Sequence, residues 1–319
     1  MLSRVADSLY WVGRYLERAE HTARLLDVSQ NLTLDRTPES SGRHFVRLCE
    51  SLQVEAVAST FGESEALTAR LIVDPAQKES IASCITAARE NARQIREQVS
   101  SEMWEQINRM YWQVRQTSAE TIGNGQSQDV LRLLIDGSYL FIGITNSTMS
   151  RGEGWHFIQV GRFLERALSS SLLLDVHFRA FKDMRGGEVQ AESAAEWAAL
   201  LRSCAALEAY CRRYTATLDA RRIADFLMLD PEHPRSIRFS VEHIESSLRA
   251  ITRLSGREDA GRPERLAGRL RSGLHYAQLD EIMADSLEHF LESVRRQCAQ
   301  IHTATYQTFI SYQVQPAMA

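Results

Sequence analysis

An all-α fold, a multi-helix bundle built from two related halves, is what this sequence predicts, and three observations lead there. All six prolines, Pro38, Pro75, Pro231, Pro234, Pro263 and Pro316, fall where helices should begin or end. The long intervals between them carry apolar residues at three- and four-residue spacings, as in Leu9, Val12, Leu16, Ala19, Ala23 and Leu26. A block of sequence then recurs: Val12-Gly13-Arg14-Tyr15-Leu16-Glu17-Arg18-Ala19 returns as Val160-Gly161-Arg162-Phe163-Leu164-Glu165-Arg166-Ala167.

Taken in order, the periodicity predicts helices over roughly 2–34, 43–60, 64–72, 76–100, 102–121, 127–149, 153–180, 189–217, 220–228, 235–254 and 263–313, the last interrupted near Gly273. No strand-like alternation bounded by hairpin signals intervenes. The segments 37–42, 123–128, 185–188 and 255–262 are rich in Gly, Ser or charge and read as surface turns.

The repeat extends beyond one block. Leu25-Leu26-Asp27-Val28 returns as Leu173-Leu174-Asp175-Val176 at the same offset of about 148 residues, while Asp74-Pro75 with Ser80-Ile81 is echoed by Asp230-Pro231 with Ser236-Ile237. Units this long do not make a solenoid. They predict one domain over 1–319, formed by tandem repeats near 1–150 and 151–319 and arranged as a pseudo-twofold bundle by internal duplication.

Composition narrows the function classes. The net charge of −4 argues against a nucleic-acid binder. No apolar run approaches the roughly 18 residues of a membrane span, and the first residues resemble neither a secretory nor a transit segment, so a cytoplasmic protein is expected. Cys49, Cys84, Cys204, Cys211 and Cys298 are odd in number, lack a C-x-x-C spacing, and are expected to be reduced. Only Lys78 and Lys182 are lysines; the other basic residues are arginines, whose planar fork suits paired recognition of carboxylate or phosphate.

Two constellations could carry chemistry. On a helix Arg14, Glu17 and Arg18 share about 100° of arc, and so do Arg162, Glu165 and Arg166. Tyr10, Trp11 and Leu25 edge the first triplet, Ile158 and Leu173 the second, so both triplets should be partly buried, where an unpaired member is costly. They read either as ion-pair networks locking the halves together or as a clamp for an anion or a peptide carboxylate. The second constellation is the turn at Asp230, followed by Arg235, Ser236 and Arg238 at the start of a helix, a position that favours anions but is also an ordinary capping site. A metal site is not expected: Glu153-x-x-His156 stands alone where a di-iron bundle needs two such motifs. There is no Walker loop, G-x-G-x-x-G or G-x-S-x-G, and no cofactor is expected.

The opening Leu2-Ser3-Arg4-Val5-Ala6 through Tyr10-Trp11-Val12-Gly13-Arg14-Tyr15-Leu16-Glu17-Arg18-Ala19-Glu20, together with Ala88 to Arg93, Ser100 to Glu105 and Pro234 to Phe239, resembles the bacterial alpha-E domain family. The resemblance spans nearly the whole chain. It implies a helical protein encoded beside, or fused to, circularly permuted ATP-grasp ligases and transglutaminase-like peptidases, within a system that makes or modifies a peptide. The implied partners are such a ligase, a transglutaminase-like protein and a peptide substrate; homo-oligomerisation stays open. Carried onto this chain, the residues implied to function are Arg14, Glu17, Arg18, Arg162, Glu165, Arg166, Asn91, Arg93, Asp230, Arg235, Ser236 and Arg238. One departure separates the halves: Ala19-Glu20-His21 is answered by Ala167-Leu168-Ser169.

Three roles follow as expectations. The first is a non-ATP-binding helical component that binds the ligase and an anionic peptide. The second is an enzyme using Glu17 or Asp230 as acid or base beside arginine clamps. The third is a structural dimerisation module. Arginine–glutamate pairs satisfied by one another favour the third, and an open cavity with free guanidinium donors favours the first two.

Overall fold

The computed structural model describes every residue except 34–37, 56–60, 123–125, 182–188, 216, 257–260 and 312–319. Among the described residues there are helices and turns and no strand. The first half contains α1 (Ser3–Thr33), α2 (Pro38–Leu52), α3 (Phe61–Val73), α4 (Ile81–Gln94), α5 (Ser101–Gln116), the single turn α6 (Ala119–Thr121) and α7 (Ser127–Thr148). The second contains α8 (Glu153–Phe181), α9 (Val189–Ser203), α10 (Leu207–Tyr214), α11 (Ala220–Leu229), α12 (Ile237–Leu254), α13 (Arg262–Tyr276), α14 (Leu279–Asp285) and α15 (Leu287–Thr305), which closes in a π-helical turn, Tyr306–Ile310.

The expected helices are present, with bounds set by local chemistry. The helix expected over 76–100 starts only at Ile81, because the Asp74-Pro75 turn runs on to Ser80, whose hydroxyl caps α4 by accepting from Ser83 N at 3.0 Å. It ends at Ile95, and Ser100 caps α5 in the same way, accepting from Met103 N. The segment 189–217 divides at Ala205, whose φ of 46° is left-handed. The last long segment breaks at Ala277-Gln278 and again at the extended, capping Ser286; Gly273 lies inside α13 and interrupts nothing. Pro38 to Gly42, expected in a turn, belong to α2, since proline is at home in a helix's first turn. The turn expected at 185–188 and parts of those at 123–128 and 255–262 lie outside the described residues.

The two longest helices, α1 and α8, carry apolar residues around most of their circumference and form the centre of the bundle. They pack on each other more extensively than any other pair. Around them the packing repeats: α4 lies on α1 as α12 lies on α8, α5 on α4 as α13 on α12, and α7 closes on α1 as α15 does on α8. The second helix of each half crosses over, α2 to α8 and α9 to α1. The capped turns repeat too. Ser80 Oγ donates to Asp74 O and Ser236 Oγ to Asp230 O, each at 2.5 Å.

Glycine makes the central crossing possible. A Cβ on Gly13 would collide with the carbonyl oxygen of Ile158, and one on Gly161 with that of Tyr10. The two contacts are reciprocal, because Ile158 stands to Tyr10 as Gly161 stands to Gly13 in the repeat. These two contacts bring the backbones of Arg14 and Arg162 into one layer.

Candidate functional site: the arginine–glutamate layer

One turn beyond the glycines, each central helix presents a glutamate to two arginines of the other. Arg14 Nε donates to Glu165, and Arg18 Nε donates to Glu165 Oε1 at 2.6 Å. In return Arg166 grips Glu17 with both edges of its fork, Nε to Oε1 at 2.6 Å and Nη2 to Oε2 at 2.7 Å, while Arg162 Nε stands 3.4 Å from Glu17 Oε2. The layer is buried: Arg14, Glu17, Glu165 and Arg166 are all under a tenth exposed, while Arg18 and, to a lesser extent, Arg162 reach toward solvent.

Burial by itself would raise the pKa of a carboxylate. For Glu17 the charges of Arg166 and Arg235 outweigh that cost, and for Glu165 those of Arg14 and Arg18 do, so both are held below the usual carboxylate range and stay ionised.

The second half adds its turn to the layer. Arg235 Nη2 donates to Glu20, and its Nη1 lies 3.6 Å from Glu17 Oε1. Glu20 also accepts from Arg24, whose Nη2 reaches the Tyr139 hydroxyl on α7 at 2.5 Å. Arg166 Nη1 donates to Pro234 O at 3.0 Å, and Ser170 Oγ to Arg235 O at 3.2 Å, which fixes the turn against α8. His21 is packed beside this group and driven down to about 4 by burial and by Arg235, so it is neutral near pH 7. Six arginines, Arg14, Arg18, Arg24, Arg162, Arg166 and Arg235, therefore share three glutamates, Glu17, Glu20 and Glu165.

The surplus is unevenly distributed. Arg14 has a second partner, the Tyr10 hydroxyl at 3.0 Å from Nη1, and that phenol is pushed up to about 12 by burial. The residue equivalent to Tyr10 is Ile158, so Arg162 has no phenol. Its Nε finds no hydrogen-bond acceptor among the described residues, the contact to Glu17 being an ion-pair distance without hydrogen-bond geometry. Its Nη1 reaches Gln159 Oε1 only at 3.5 Å. Burial, and then the neighbouring Arg166, pull the Arg162 guanidinium down to about 10. It borders a narrow slot of about 20 Å³ between α1, α7 and α8, whose walls also include Gly13, Glu17, Glu20, Ser138 and Gln159.

The remaining sequence candidates sit elsewhere. Asp230 Oδ1 accepts from Glu232 N at 2.8 Å and His233 N at 2.7 Å, and its other oxygen accepts from Arg213, so the carboxylate holds the turn together. Ser236 caps α12 through Phe239 N at 3.0 Å. Arg238 pairs with Glu242 at 2.9 Å and meets His275 Nδ1 at 2.9 Å, away from the layer. Asn91 donates to Ala87 O within its own helix, and Arg93 is an exposed partner of Glu90.

Sequence reasoning missed Glu20, Arg24 and Tyr139. The signal for the first two was present: Glu20 follows Glu17 by three residues and precedes Arg24 by four, on one helical stripe. It also missed a second buried polar group, in which His44 Nε2 lies 3.0 Å from Ser29 Oγ and His44 Nδ1 lies 3.4 Å from Glu196, which Arg47 also contacts. Ser, His and Glu in that order suggest a nucleophile with its base and orienting acid. Ser29, however, lies inside α1, where backbone N–H groups are engaged by the helix and none is left to hold an oxyanion. The group bridges α1, α2 and α9.

The five cysteines are free. Among the described residues no His, Cys, Asp or Glu side chains gather into a metal-sized group, and no helix is long and apolar enough to cross a membrane.

Uncharacterized proteins of Mycobacterium bovis and Mycobacterium tuberculosis are similar to this chain, at 25% identity over 314 residues. The match covers 89% of this chain and 34% of theirs, so the chain spans about a third of the length of these relatives. No solved structure matches it significantly. The family model described as a predicted alpha-helical domain with a conserved ER motif matches residues 1–310, Glu17-Arg18 and Glu165-Arg166 are Glu-Arg pairs at the heart of the structure, and the chain belongs to this Alpha-E family.

Proposed function

We propose that the protein is a non-ATP-binding helical component of a peptide-ligation or peptide-modification system, acting by binding an ATP-grasp-type ligase and an anionic peptide. The ligase and the transglutaminase-like neighbour come from the family resemblance. The observation that carries the choice of a binding role over an enzymatic one is the saturation of the acidic candidates. Glu17 is gripped by Arg166 and kept ionised, which makes it a poor proton shuttle near pH 7, and Asp230 has both oxygens engaged in its turn. The length of the mycobacterial relatives supports a module that works beside or within larger assemblies. The repeated packing around α1 and α8 supports an origin by duplication, and Ile158, Leu168 and Ser169 opposite Tyr10, Glu20 and His21 support a division of labour between the halves.

The test is co-purification of the full chain with the ligase encoded beside it, followed by product formation in a reconstituted mixture. Retention of the ligase and a product yield that depends on the chain are expected. A ligase that neither binds nor responds to the chain would overturn the proposal.

A further inference from the structure

We propose that the slot beside Arg162 is a binding site for a single carboxylate carried on an apolar chain end, such as the C-terminus of a peptide with an apolar last residue. This deepens the anionic-peptide part of the function proposed above and rests on it for its biological meaning, but it concerns the isolated protein alone.

The repeat supplies the argument. Two arginines occupy equivalent places, and one of them is complete. Arg14 has a carboxylate in hydrogen-bonding geometry and a phenol; Arg162 has the ion-pair distance to Glu17 and the weak contact to Gln159. A guanidinium this deeply placed gains from an acceptor that fills the place the phenol fills on the other side, because a charge-assisted hydrogen bond is about twice as strong as a neutral one. The slot lies beside Arg162, and its lining includes Gln159 and apolar groups of Leu16, Phe141, Ile142 and Ile158. Two further polar groups, Ser138 and Thr145, have their hydroxyl hydrogens committed to Leu134 O and Phe141 O, so they offer no competing donor.

The slot also selects against other anions. Its space for a water-sized group is only about 20 Å³, which suits a carboxylate head and excludes a nucleotide. Glu17 and Glu20 form part of its wall, so a phosphate of about two charges would be repelled more than a carboxylate of one. A planar carboxylate can take two donors from one guanidinium.

The test is calorimetric titration of the whole protein at low salt with N-acetyl-leucine, its amide and inorganic phosphate. Binding of the carboxylate, with the amide and phosphate at least about tenfold weaker, is expected, the size of one charge-assisted hydrogen bond. Arg162→Gln should weaken N-acetyl-leucine by a similar factor, and Arg93→Gln, on the surface, should leave it unchanged. Ile158→Tyr gives Arg162 the phenol that Arg14 has; it should abolish binding while the thermal transition stays cooperative. Equal binding of acid and amide, preference for phosphate, no binding of N-acetyl-leucine, or binding untouched by both slot variants would overturn the site. Because no ligase enters this experiment, its failure is separate from failure of the ligase complex.

Discussion

Arg166 holds Glu17 through two parallel hydrogen bonds, Nε to Oε1 at 2.6 Å and Nη2 to Oε2 at 2.7 Å, across the contact between the two central helices. The pair is buried, and Arg235 approaches the same carboxylate from the turn before α12. Removing the carboxylate strands charge in a place water does not reach. Glu17→Ala is expected to cost about 3–5 kcal/mol in urea denaturation, whereas Arg93→Ala, at an exposed helical pair, should leave the unfolding midpoint unchanged.

Glycine substitutions separate crossing from helix propensity. In an ordinary helix interior, alanine is better than glycine by about 0.5–1 kcal/mol. Gly143→Ala and Gly273→Ala, which meet open space, should show that gain. Gly13→Ala and Gly161→Ala should instead destabilise by about 3 kcal/mol or more, because the new methyl meets a backbone carbonyl that cannot turn aside. Thermal melts of the four variants check the signs.

Acid should act on the fold in two steps. His21 and His177 are held down to about 4, chiefly by burial, against an ordinary value of 6.5. The unfolded chain therefore binds protons first, and stability is predicted to fall as pH drops from about 6.5 toward 4. Glu17 and Glu165 lie below their ordinary value of 4.5 in the fold, so their contribution is present above 4.5 and is lost as pH falls further through their lowered values. Denaturation midpoints across pH 3–8 check this, and replacing His177 by Asn should flatten the upper step alone.

Much of this was legible in sequence, and the reasons are physical. Helical periodicity and proline positions record burial of one face, so they located the helices; they do not record where a serine cap or an extended residue bounds one, so Ser80 set a later start than expected and Ser286 divided what looked continuous. The offset of the repeat brought Arg14 and Arg162 together because a repeated block must bury a repeated face. The pairing itself was hidden. Nothing local says that Arg166 belongs to Glu17 and Arg18 to Glu165, or that Arg235 would cross to Glu20, since each pair is made by contact between helices distant in the chain. Asp230 looked like a candidate base for the same reason that it makes a good turn: its oxygens lie close to backbone donors.

The most direct test of the account compares Arg162→Gln with Arg166→Gln by urea denaturation. The account holds that these equivalent-looking arginines differ: Arg166 completes a buried pair, and Arg162 is short of acceptors and borders an open slot. It predicts a loss of about 3–5 kcal/mol for Arg166→Gln and a change within about 1 kcal/mol for Arg162→Gln. Equal, large losses for the two would contradict it, because Arg162 would then be as fully engaged in holding the bundle as the other arginines of the layer.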